Sequence, residues 1–419
     1  MNKLRLFSHP FTWGIITLVT LLLSLTPWVY PGEAVTLMAH LAGVWHASSG
    51  IVTAHPLFSL LFGALGNLLP ASIVVPVFNL SSAILGALCV TLLCQIIRLT
   101  VHYLADEPRT VPSVSRAANL AVPVAGLTLL LSPDFLRATT HFQWQIFDLF
   151  LLLGALFLLC HVACKPTRLL LTLTAFAWGL LTFESVELLL FTPFFVLLLA
   201  TAYYADQEEL SSRPFILNLA FPLLFGFVLT FTTVLLQMFA LEPSTDLRAA
   251  ILIQGYARFA TLLGYFNGPW ILVLLTGIIP AVLTFFLLKD AGKNKRTATL
   301  FFTFLTAVVL SILAILPFKL SIPTLTANWT DAYPLFPAMF TAFAFAGLTA
   351  IGVLFFTVKH PPEAANESFF ARPLCKFAGW CCVIVLPIAL IVSAIMVTVP
   401  TRIEEARFSK LPQAYTDAV

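Results

Sequence analysis

The sequence predicts an all-α fold, a polytopic bundle of about eleven transmembrane helices, and three observations predict it. Only 10% of the 419 residues are charged and 60% are hydrophobic, whereas a water-soluble domain carries about a quarter charged residues. Phenylalanine alone occurs 39 times, more apolar surface than a soluble core of this size hides, so lipid is the solvent for most of it. The apolar residues also come in runs of roughly 17–25, the length that crosses a bilayer as a helix.

In chain order the runs fall near 11–29, 72–97, 117–133, 143–163, 168–183, 187–204, 215–238, 269–289, 299–318, 335–357 and 377–398. Backbone groups in hydrocarbon must bond one another, which selects helices over open strands. Pro76, Pro193 and Pro280 fall inside runs and are tolerable as kinks in packed helices. Residues 11–29 form a longer run than a secretory h-region, and no small-x-small site follows, so they read as a permanent first span. "HPLFSLLFGALGNLLP" (55–70) is apolar but short, and reads as an interfacial or re-entrant helix in the first external loop, 30–71. Within that loop a rough apolar stripe from Glu33 to Val44, with Pro31 near its start, predicts a second helix lying in the interface. The chain divides into a first module, 1–204, a further set of helices, 205–398, and an external polar tail, 399–419.

Charge sets the orientation. With the N-terminus in the cytoplasm, fifteen Lys and Arg residues fall inside, among them the "KDAGKNKR" anchor at 289–296. Seven fall outside: Arg137, Arg248, Arg258, Lys319, Arg402, Arg407 and Lys410. This is the positive-inside bias, and an odd span number then puts the C-terminus outside. The seven cysteines lie in spans or near cytoplasmic ends, where thiols stay reduced. Cys160, His161 and Cys164 have a metal-like spacing, but a zinc site needs four convergent ligands, and a helix end lined by small side chains is the simpler reading.

The outer face collects the polar side chains. The first loop brings Glu33, His40, His46 and His55; the next outer turn brings Asp134, Arg137, His141 and Gln145, with Asp148 just inside the fourth span. "FESVE" brings Glu184 and Glu187, the long loop 239–268 brings Arg258, and 319–334 brings Lys319 and Asp331. A charge at mid-bilayer costs ~2.5–3.5 kcal/mol even on the lenient insertion scale, so such groups imply a partner or a water-filled cavity. Taken together they predict one outward-facing polar cavity. Glu33, in the first turn of an interfacial helix and stabilised in its ionised form by the helix dipole, is a candidate general base for a hydroxyl.

"YPGEAVTLMAHLAGV", "AHPLFSLLFGALGNLLP", "NLSSAILGAL" and "WGLLTFESVELLLFTP" together resemble the GT-C superfamily of membrane glycosyltransferases, in particular its bacterial protein O-mannosyltransferase-like group. Gly32-Glu33 and His55-Pro56 stand where that group has an acid and a histidine-proline pair. Tyr30 and Pro31 replace an additional acid, Leu57-Phe58-Ser59 replace a glycine-tyrosine-proline triplet, and Gln145-Ile146-Phe147 stand for an acid-x-aromatic motif. The resemblance implies transfer of a sugar from a polyprenyl-phosphate carrier in the membrane lipid to a hydroxyl of a protein or glycan acceptor, on the extracytoplasmic side of a bacterial inner membrane. It implies Glu33 as catalytic base, with His55, Asp134, Arg137, His141, Gln145, Glu184, Arg258, Lys319 and Asp331 binding substrate. No nucleic-acid partner is implied. No tight pair of acids in the sequence dictates a metal, so neither metal nor cofactor is expected. A transporter or lipid flippase, or a non-catalytic homologue, are the alternatives; the acid-to-Gln145 departure favours the last.

Overall fold

The computed structural model describes residues 9–25, 41, 55–104, 112–165, 167–184, 192, 195–196, 199, 212–241, 243, 246–266 and 335–357. Among the described residues the continuous elements are ten helices: α1 (Pro10–Leu23), α2 (Pro56–Leu68), α3 (Ala71–Leu104), α4 (Pro112–Leu130), α5 (Pro133–Thr140), α6 (Trp144–Cys164), α7 (Arg168–Glu184), α8 (Ser212–Leu241), α9 (Leu247–Phe266) and α10 (Leu335–Thr357). The described residues contain no strand, as the backbone rule for lipid requires.

Among the described residues three stretches are long and apolar enough to cross a membrane: Ile73–His102 of α3, all of α6, and Leu217–Ala240 of α8. The pair α4 and α5, bent by 67° at its break, becomes a fourth if the two are one broken span. On α8, Leu217 and Phe221 are each 70% exposed. Large bare apolar side chains along a 30-residue helix suit a lipid-facing surface, and the long apolar helices mark an integral membrane protein. Four residues of the run 187–204 are described; the runs at 269–289, 299–318 and 377–398 lie outside the described residues.

Two elements differ from the sequence reading. The first apolar run extends to residue 29, but α1 ends at Leu23, where the Ser24 hydroxyl donates back to the carbonyls of Thr20 and Leu21 and competes with helix continuation. The region 239–268, read as a loop, carries α9 after Asp246, whose carbonyl accepts the Ala250 N–H and closes the first turn. Arg248 and neighbouring polar residues kept α9 from registering as an apolar run.

Helix α3 is the axis of the bundle. Helices α1, α4 and α6 pack along it, α10 lies against α4, and α7 lies between α6 and α8. The core along these contacts is built from small and aliphatic residues such as Ala117, Ala121, Ala125, Leu149, Leu153 and Ala346. Helix α7 crosses α8 at close range. A Cβ added at Gly179 would collide with the Leu223 carbonyl, and one added at Gly226 would collide with the Phe176 carbonyl. Small residues that let backbones approach drive helix association in lipid, where apolar burial between helices gains little. The Thr230 hydroxyl crosses the same contact toward the Leu180 carbonyl.

The helix ends that carry polar groups are set locally. At the α4–α5 break, Pro133 takes the first helical position of α5, and Ser132 before it is extended. The short α2 likewise starts at Pro56 and runs back toward α3, which follows after Leu69 and Pro70.

Candidate functional site

The start of α2 supplies the first element of the site. A helix leaves its first N–H groups without intrahelical acceptors. Pro56 has no N–H, and the N-cap residue, His55, makes no side-chain cap bond. The open donors are those of Leu57 and Phe58, and both donate to the carboxylate of Glu184: Leu57 N to Oε2 at 2.6 Å and Phe58 N to Oε1 at 2.9 Å. The last residue of α7 thus caps a helix from a distant part of the chain. The Gln237 amide of α8 donates to the Pro56 carbonyl at 2.7 Å, so three elements meet at one helix turn.

His55 is fixed on two sides. Its ring stacks on Trp144, the first residue of α6, with centroids 3.8 Å apart. Its Nδ1 lies 3.4 Å from Asp148 Oδ2. Asp148 stands one turn further along α6 and is fully buried, as is Glu184. One ligand-type atom from each of His55, Asp148 and Glu184 falls within 4.8 Å of the others. Two carboxylates this close and this buried cannot both carry charge without a positive group between or beside them.

An aromatic wall stands behind the group. Phe58, Phe62, Phe78, Phe142 and Phe147 form one cluster with Leu41 and Val74. Phe142 sits at its centre, 5.0 Å from Phe58, 4.9 Å from Phe62 and 4.5 Å from Phe78 between ring centroids. Asn79 of α3 accepts the Phe142 N–H at 2.8 Å and anchors the segment that leads into α6.

Of the residues singled out in the sequence, His55 and Glu184 come together, and Asp148 joins them. Gln145 lies one turn before Asp148, on the same face of α6; its Oε1 is buried and has no hydrogen-bond partner among the described residues. Asp134 and Arg137 sit one turn apart on α5, near enough for their charges to attract. His141 is buried at the end of that helix, with Nδ1 3.2 Å from both the Thr140 hydroxyl and the Arg137 carbonyl. Arg258 lies on α9. Glu33, Lys319 and Asp331 lie outside the described residues.

No tight acid pair shows along the sequence, yet the fold makes one from Asp148 and Glu184, distant in sequence and adjacent in space. Gln237 escaped notice too, because a single amide within an apolar run gives no signal of its partner. Cys160 and Cys164 join no metal-ligand group among the described residues; the Cys160 thiol faces the Thr100 hydroxyl at 3.9 Å. Comparison with protein-family models, with curated proteins and with solved structures yields no match for this chain.

Proposed function

We propose that the chain is an integral-membrane glycosyltransferase of the GT-C type, with about eleven spans, its N-terminus inside and its C-terminus outside. It moves a sugar from a polyprenyl-phosphate carrier to an acceptor hydroxyl on the extracytoplasmic face. The observation that supports this best is the convergence of the starts of α2 and α6 and the end of α7 on one acid–imidazole group beside an aromatic wall.

In this reading the Glu33 carboxylate takes the proton of the acceptor hydroxyl. The hydroxyl oxygen attacks the anomeric carbon, the bond from that carbon to the phosphate oxygen breaks, and the polyprenyl phosphate departs with inversion. Arg137, Arg258 and Lys319 are the cations available to the leaving phosphate. Asp134, His141, Gln145 and Asp331 are the polar groups available to the sugar. Glu184 acts through the backbone: by capping α2 it holds His55, and with it the turn that faces the donor.

The deciding experiment is incubation of purified protein in lipid with a panel of polyprenyl-phosphate sugars, following donor consumption. Consumption of one donor, abolished in Glu33→Gln with donor binding retained, is the expected outcome. Inertness toward every donor would move weight to the second reading, a transporter or flippase, which the full burial of Asp148 and Glu184 between membrane helices favours. In proteoliposomes that reading requires solute or lipid movement that depends on those two acids.

A further inference from the structure

We propose that His55, Asp148 and Glu184 form a binding site for one divalent transition-metal cation, zinc being the best fit. This goes beyond sugar transfer and stands or falls independently of it.

Charge favours this occupant. A neutral imidazole and two carboxylates sum to minus two, so a divalent cation leaves the buried unit neutral. A bare pair of carboxylates at this depth is strongly disfavoured, and a single proton, or a protonated His55, neutralises only one of them. The ligand types also agree: imidazole nitrogen with carboxylate oxygen suits zinc, whereas calcium takes six to eight oxygens and magnesium keeps several waters, which a closed, fully buried Asp148 does not accommodate.

Distance is the second ground. Tetrahedral zinc with bonds of about 2.0 Å sets its ligand atoms about 3.3 Å apart. His55 Nδ1 and Asp148 Oδ2 are separated by 3.4 Å, and Glu184 closes the group within 4.8 Å. Glu184 keeps lone pairs beyond those used by the Leu57 and Phe58 amides, and hydrogen bonds of that kind orient metal-bound carboxylates. The stack of His55 on Trp144 fixes the ring as ligand geometry requires.

Candidate fourth ligands are at hand. Gln145 and Gln237 each carry a buried carbonyl oxygen without a hydrogen-bond partner among the described residues. Gln145 shares a helix face with Asp148, and Gln237 reaches the Pro56 carbonyl beside His55. Among the described residues no other set of three His, Cys, Asp or Glu side chains converges in this way.

The test uses the full chain purified in detergent, stripped with chelator, then dialysed against zinc, manganese, magnesium or calcium, with bound metal counted by elemental mass spectrometry. About one equivalent of zinc is expected, falling at least tenfold in Asp148→Asn and in His55→Gln, while Cys160→Ala retains it. Less than a tenth of an equivalent of every metal in the wild-type chain would overturn the proposal, as would undiminished binding in both site variants. Because a site variant can fail to fold, the wild-type chain is also loaded with cobalt. X-ray absorption is expected to give one imidazole with oxygen ligands in the first shell; a sulfur-containing or imidazole-free shell would overturn the assignment.

Discussion

Replacing Glu184 by alanine removes the acceptor for two amides at a helix start that has no other cap, since Pro56 has no N–H and His55 makes no cap bond. A buried donor left without its acceptor costs ~1–3 kcal/mol and loss of an N-cap costs ~0.5–2 kcal/mol. A destabilisation of about 2–4 kcal/mol is therefore expected, measured by equilibrium unfolding in mild detergent with chelator present. Unchanged stability would mean that α2 does not depend on α7 for its cap. Asn79→Ala strands the buried Phe142 N–H and is expected to cost about 1–3 kcal/mol in the same assay. His55 and Glu184 stood out in the sequence because polar residues at the ends of apolar runs are costly and therefore conspicuous. Which acids meet was not legible, because helix packing rather than sequence distance decides neighbours: Asp148 belongs with Glu184 and His55.

The α7–α8 crossing rests on two glycines facing each other's backbone, so bulk at either position must push the helices apart. Gly179→Val and Gly226→Val are each expected to lower the midpoint of thermal unfolding in detergent and to reduce the yield of monodisperse protein. Gly154→Ala is the control: an added Cβ there meets nothing within 4 Å, and alanine is the better helix former by about 0.5–1 kcal/mol, so the midpoint should hold or rise. Equal behaviour of the three variants would remove the close approach as the reason for this pairing. Helices α3, α6 and α8 were legible because length and composition alone mark a span, and α2 because its apolar stretch was too short to be one. The partner of each helix was not legible. A helix apolar all round, such as α8, carries no stripe that names the face it buries. Helix α9 was missed since its polar residues broke the run on which span recognition depends.

Orientation joins the site to the cell. Asp148 lies at the start of α6 and Glu184 at the end of α7, so these helices run in opposite directions and the short turn at Lys165 lies at the far end of the pair from the acids. Gln237, near the end of α8, contacts Pro56, so Pro243 lies on the acid side. Helix α3 leaves that side after Pro70 and ends near Leu104, which places Arg116, early in α4, on the far side. The basic residues Arg98, Arg116, Lys165 and Arg168 collect there, and the proposed topology puts that side in the cytoplasm, as the positive-inside rule asks. In a background with the native cysteines replaced, Leu68→Cys and Pro243→Cys are expected to react with a membrane-impermeant maleimide on intact cells. Arg116→Cys and Lys165→Cys should react only after the membrane is opened. The reverse pattern would place the acid–imidazole group on the cytoplasmic face, out of reach of an extracytoplasmic acceptor, and would end the sugar-transfer reading while leaving the metal site to be judged by its own stoichiometry.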